Sequence, residues 1–151
     1  METKASMVKI LDGGMGGEIQ RRRPNAAQGL WAATALLEDP DLVVNLHREY
    51  IEAGAEIITT NTYSTIPSYL AKADLAHRGK ELTGLASRLA RQAADQSQRA
   101  VRVAGSLPPL SESYRADLVQ GSEESSPVYE EMALAMAVSY THLPLPTNRE
   151  V

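Results

Sequence analysis

The chain has 151 residues, 43% of them hydrophobic and 23% charged. That is enough for one domain with a buried core and argues against wholesale disorder. Fifteen basic against nineteen acidic residues leave a net charge of −4, which gives no reason to expect nucleic acid or an anionic membrane as partner. No cysteine is present, which excludes disulfides, thiolate nucleophiles and cysteine-ligated zinc within these residues.

The opening METKASMVKI has no apolar stretch of signal-peptide length, and no later segment approaches a membrane span, so a cytoplasmic protein is expected. The first apolar run, 7–11, is short, as buried parallel strands are, and stops at Asp12-Gly13-Gly14-Met15-Gly16-Gly17-Glu18. A dinucleotide fingerprint fails there on spacing, because Gly14 and Gly16 would require a small residue where Ile19 stands, and Pro24 cuts short the receiving helix. No Gly-Lys-Ser/Thr of a phosphate loop follows. Asp12, at the tip of a strand, would repel phosphate and attract a cation or an ammonium group; the alternative is a turn aspartate bonding nearby N–H groups. The run Arg21-Arg22-Arg23 reads as a solvated turn, and Trp31, by residue habit alone, as a core anchor.

A helix is expected over 40–53, with Asp39 as cap, Pro40 in the first turn and Gly54 as stop. Its inward stripe is Leu42, Val43, Leu46, Tyr50 and Ala53, and His47 beside it reads as a packed helix residue rather than a catalyst. A second strand, 55–58, ends in Thr59-Thr60-Asn61-Thr62-Tyr63-Ser64. Six successive hydrogen-bonding residues there suit ligand contacts, or hydroxyls satisfied by neighbouring backbone. A second helix fits 81–94, with Leu82, Leu85, Leu89 and Ala93 inward. A third strand, 101–104, ends in Gly105-Ser106-Leu107-Pro108-Pro109, and a third helix begins near Pro127 with Tyr129, Met132, Ala133 and Met136 as its apolar face. None of the three histidines has metal-ligand spacing to another.

Strands alternating with helices make parallel βαβ units. The strand ends fall 47 and 46 residues apart, longer than the roughly 30 per unit of a (β/α)₈ barrel of about 250 residues, so the loops carry insertions. About three units fit: part of a barrel, or a small open sheet. In either, ligands bind at the carboxyl ends of the strands. The last residues, 138–151, abandon the helical pattern, and Pro144 and Pro146 forbid its return. They read either as a frayed terminus or as a non-native tail resembling translated sequencing adaptor; the second is preferred, leaving 1–137 as the domain.

Three blocks in this order, ILDGGMGGEIQRR, LWAATALLEDPDLVVNLHREYIEAGAEIITTNTY and VAGSLPPLSESYRADL, resemble the homocysteine S-methyltransferase family. The resemblance implies an α/β fold, the N-terminal portion, about three βα units, of a (β/α)₈ TIM-type barrel. It implies a substrate site at the strand ends: Asp12 for the ammonium group of homocysteine, Gly13 and Gly14 for close backbone approach, Thr60, Asn61, Thr62 and Tyr63 along the pocket, and Gly105 and Ser106 from the third strand. It also moves Trp31 to the methyl-donor side, where an aromatic face could hold a sulfonium or quaternary ammonium. The implied reaction is methyl transfer to the homocysteine thiol, giving methionine, from a small donor such as S-methylmethionine, S-adenosylmethionine or betaine. The family uses zinc held by cysteines later in the barrel; this chain has none, so it is expected to be an incomplete and inactive fragment, with no nucleic acid or membrane as partner. The alternative is a non-catalytic small amino-acid-binding module. One departure is Gly17, where family sequences usually carry threonine.

Overall fold

A computed structural model describes residues 8–24, 30, 32–111 and 114–138. Trp31 and the tail from 139 onward lie outside the described residues. Six helices are assigned among them: α1 (Met15–Arg22), α2 (Ala32–Glu38), α3 (Pro40–Glu52), α4 (Pro67–Leu70), α5 (Gly79–Asp95) and α6 (Ser122–Val138). Two strands, β1 (Ile57–Thr59) and β2 (Arg102–Ala104), run parallel with Ile58 opposite Val103. The described chain is therefore α/β and mostly helical. None of its helices is long and apolar enough to cross a membrane.

The predicted first strand is only partly realised. Leu11 makes a single parallel bridge to Ile57, supported by Glu56 N–H to the Ile10 carbonyl (2.9 Å) and Asp12 N–H to the Ile57 carbonyl (3.0 Å). Its side chains are not buried: Val8, Ile10 and Leu11 are 86, 55 and 57% exposed. The segment pairs with β1, but no described helix covers it, so the apolar run that predicts a buried strand meets solvent instead. The three segments lie in the order 10–12, β1, β2, which puts Asp12, Thr60 and Gly105 at one end of the sheet.

Helix α3 follows its local signals. The Asp39 carboxylate accepts from Leu42 N–H at 3.2 Å, Pro40 occupies the first turn, and Gly54 beyond the helix takes φ +116°, a conformation that favours glycine. Its buried face differs from the predicted stripe. Val43, Val44, Leu46, His47 and Ile51 are inside, Leu42 and Tyr50 are half-buried, and Ala53 is exposed. The reason is that α3 touches α1, α2 and α5 together, so burial wraps further round the helix than one stripe. In α5, which packs against α3 and α6, Leu82, Leu89 and Ala93 are buried as expected, Leu85 is half-buried, and small residues such as Ala86 and Ala90 are buried as well.

Helix α6 starts at Ser122 rather than near Pro127, which lies inside it. A proline there removes one i→i−4 bond close to the start, where few have formed. Met132 and Met136 are buried, but Ala135 rather than Ala133 completes that face. Helix α1 lies over the glycine stretch, where the sequence pattern predicts no element. It forms because Met15 and Ile19, four apart, both bury. The arginine run, read as a solvated turn, belongs to its end: Arg21 pairs with Glu18, Arg22 with Glu49 of α3, and Arg23 with Glu38 of α2.

Candidate functional site

Asp12 leaves the sheet where the first segment ends, and its carboxylate turns toward β1. One oxygen accepts from Thr59 N–H at 2.7 Å, and both lie within 3.2 Å of the Thr59 hydroxyl. Partial burial raises its pKa above the usual aspartate value, and the Thr59 hydrogen bonds oppose that rise. The carboxylate is thus held in a fixed position at the strand end, half-buried and partly satisfied.

The glycines beside it have different reasons. A Cβ on Gly13 would stand 3.0 Å from the Tyr50 ring edge and hydroxyl, whereas one on Gly14 would meet nothing within 4 Å. The Tyr50 hydroxyl reaches the Gly14 carbonyl at 3.4 Å. Burial raises the Tyr50 pKa, and the charges of Glu18 and Asp12 push the same way. Gly13 is bare for tyrosine packing, a contact 37 residues away that the sequence did not signal.

After β1 the hydroxyls divide their work. Thr60 and Thr62 are buried, their oxygens 2.9 Å apart. The Thr62 hydroxyl donates to the Ser106 carbonyl at 2.6 Å, and Ser106 N–H donates to the Thr60 hydroxyl at 3.0 Å. The two bonds to Ser106 tie the end of β1 to the end of β2, and the Thr60–Thr62 contact links them. Asn61 donates from Nδ2 to the Ala32 carbonyl at 3.1 Å, fixing the start of α2. Thr65 and Thr83 pair their hydroxyls at 2.7 Å, joining the loop to α5. Tyr63 is exposed and meets Tyr69 edge-on, with ring centroids 6.2 Å apart. Lys72 places its ammonium 4.4 Å above the Tyr69 ring. Gly105 lies under α6, where a Cβ would come within 2.9 Å of the Met136 sulfur.

An open cleft of about 970 Å³ lies at the carboxyl ends of the strands, and some of these groups border it. Gly13, Gly14, Thr60, Asn61, Tyr63 and Ser106 line it. Asp12, Thr62 and Gly105 stand behind that lining, and Trp31 lies outside the described residues. Tyr69 and Lys72 also line it; sequence reading missed both, because they fall beyond the polar block that ends at Ser64.

A family model for homocysteine S-methyltransferase matches residues 9–141. The chain belongs to the homocysteine S-methyltransferase family. A homocysteine S-methyltransferase of Escherichia coli (strain K12) is 37% identical over 123 residues, covering 77% of this chain and 38% of that enzyme. The homocysteine S-methyltransferase 1 of Brassica oleracea var. italica is 31% identical over 137 residues, 83% of this chain and 41% of the relative. A selenocysteine methyltransferase of Astragalus bisulcatus is 32% identical over 142 residues. In three dimensions the chain matches the crystal structure of the metallated homocysteine methyltransferase MmuM from Escherichia coli with a TM-score of 0.75 at 30% identity, covering 89% of this chain and 52% of that one. The chain spans about two-fifths of the length of these curated relatives.

The zinc that the family resemblance implies can be tested against the donors present. The sequence has no cysteine, and no group of three or more histidine, aspartate or glutamate side chains is gathered among the described residues. His47 is fully buried with neither ring nitrogen partnered, but it belongs to no such group among the described residues. These residues do not fit a zinc site.

Proposed function

We propose that the cleft is the amino-acid end of a homocysteine S-methyltransferase site, set on the N-terminal portion, about three βα units, of a (β/α)₈ barrel. The observation that carries this reading is the position of Asp12. It is a carboxylate anchored on Thr59 at a strand tip, next to Gly13, Gly14 and Thr59, which line the open cleft, within a segment that matches the family from residue 9 onward. Asp12 would accept hydrogen bonds from the ammonium group of homocysteine. Thr60, Asn61, Tyr63 and Ser106 would line the pocket, Thr62 and Gly105 would hold that lining in place, and Trp31 would face the methyl donor. The domain would be residues 1–137, followed by a non-native tail, working in the cytoplasm.

In the reaction, the homocysteine thiol loses its proton to solvent and its sulfur forms a bond to the donor's methyl carbon as the donor's own bond to that carbon breaks, its electron pair staying with the donor. A thiol of pKa ~8.5 is only about 3% ionised at pH 7, and nothing in this chain supplies the zinc that would ionise it. The chain's own contribution is to bind and orient the acceptor, and methyl transfer by these residues alone should fall below detection.

Titration of homocysteine and methionine into the chain, read by calorimetry, tests the reading. Binding of both, weakened about tenfold or more in D12N by loss of a charge-assisted contact, is the expected result. Absence of binding to the wild type would overturn it. The same cleft serves a second reading, a non-catalytic small amino-acid-binding module. The polar lining of that cleft suits a small amino acid whether or not methyl transfer follows, and measurable methyl transfer would refute this second reading.

A further inference from the structure

An amino acid carries two opposite charges, and the reading above, on which this inference rests, assigns only the ammonium group. We propose that Lys72 recognises the carboxylate of the small molecule that enters the cleft. Among the described residues, Lys72 is the one charged side chain in the cleft lining, and its ammonium forms no ion pair with a described carboxylate. Its place is fixed twice. It sits in the 3₁₀ turn Ala71–Ala73, which closes at Asp74 with φ 60°. Its ammonium rests 4.4 Å over the Tyr69 ring, itself edge-on to Tyr63.

A ring takes one side of an ammonium and leaves N–H donors pointing away from it. Here the remaining donors are available to an anion in the cleft. A positive charge already on Tyr69 also disfavours that ring as a seat for a cationic methyl donor. The residue therefore selects by charge, favouring a carboxylate and opposing an onium group. The rival holder is the set of backbone N–H groups at the start of α1, where Gly14 and Gly16 also border the cleft.

The test uses the full 151-residue chain with two probes that share the same amine and thioether: L-methionine, and L-methioninol, which lacks the carboxylate. Wild type should bind methionine about fivefold more tightly than methioninol, the upper size expected of one exposed ion pair. K72M should bring methionine down to the methioninol level with the thermal midpoint unchanged, and K72R should restore the preference. A preference that survives K72M would overturn the proposal and assign the carboxylate to the α1 amides. Equal binding of the two probes by wild type would overturn it while leaving the amino-acid site standing. If wild type binds neither probe, the amino-acid reading itself fails and takes Lys72 with it.

Discussion

His47 should make this chain lose stability in mild acid. It lies on α3 with no exposed surface, and neither ring nitrogen has a partner. Burial alone lowers its pKa from 6.5 to about 4, so the folded state prefers the neutral ring and the unfolded state takes up the proton first. Between those values the unfolded state binds more protons, and stability rises with pH and falls as pH drops. A shift of about 2.5 units corresponds to roughly 3 kcal/mol once both states have titrated, of which about 2 kcal/mol is lost between pH 7 and pH 5. The check is urea unfolding followed by circular dichroism at pH 7, 6 and 5, on wild type and on H47L. Leucine fills similar space without orphan nitrogens, so the variant should be no less stable at pH 7 and should lose far less on acidification. Ordinary carboxylates stay ionised over most of this window, and the difference between the two proteins isolates the histidine. Equal losses in wild type and H47L would refute the argument.

The two glycines after Asp12 should separate cleanly. G13A forces the Tyr50 ring aside and should cost about 1–2 kcal/mol in the same urea assay, as overpacking does, while G14A, with open space around its Cβ position, should stay within about 0.5 kcal/mol. T62V keeps the side-chain shape but removes the donor to the Ser106 carbonyl, and should cost about 1–3 kcal/mol. Because the same hydroxyl touches that of Thr60, the T60V/T62V double variant should lose less than the two single losses added together; strict additivity would contradict the shared network.

What the sequence made legible was local. Asp39, Pro40 and Gly54 bracket α3 through contacts within a few residues, and the short apolar runs at 55–58 and 101–104 lie where β1 and β2 form. Helix α1 was missed because four glycines between 13 and 17 give the segment poor intrinsic propensity, and its stability comes from tertiary burial of Met15 and Ile19. The first strand read as buried because its composition is apolar, but composition does not say whether anything packs over it. At the site, the polar block after β1 stood out as a string of hydrogen-bonding residues. Which of its members face the cleft and which stitch the strands was not legible. Thr60 and Thr62 point alike in sequence, yet their partners come from Ser106, more than forty residues on. Tyr50 under Gly13, and Lys72 over Tyr69, belong to the same class of contact: each is fixed by how elements dock, and no local spacing encodes it.

The close approach of Met136 to the backbone of Gly105 bears on how this sequence can drift. With the methionine sulfur 2.9 Å from where a Cβ would stand, what fits at one position depends on the other. An alanine at 105 has to turn the flexible Met136 thioether aside, while valine at 136 would leave it room. Across relatives that keep α6 seated on the end of β2, residues 105 and 136 should therefore change as a pair, with small and large exchanged between strand and helix.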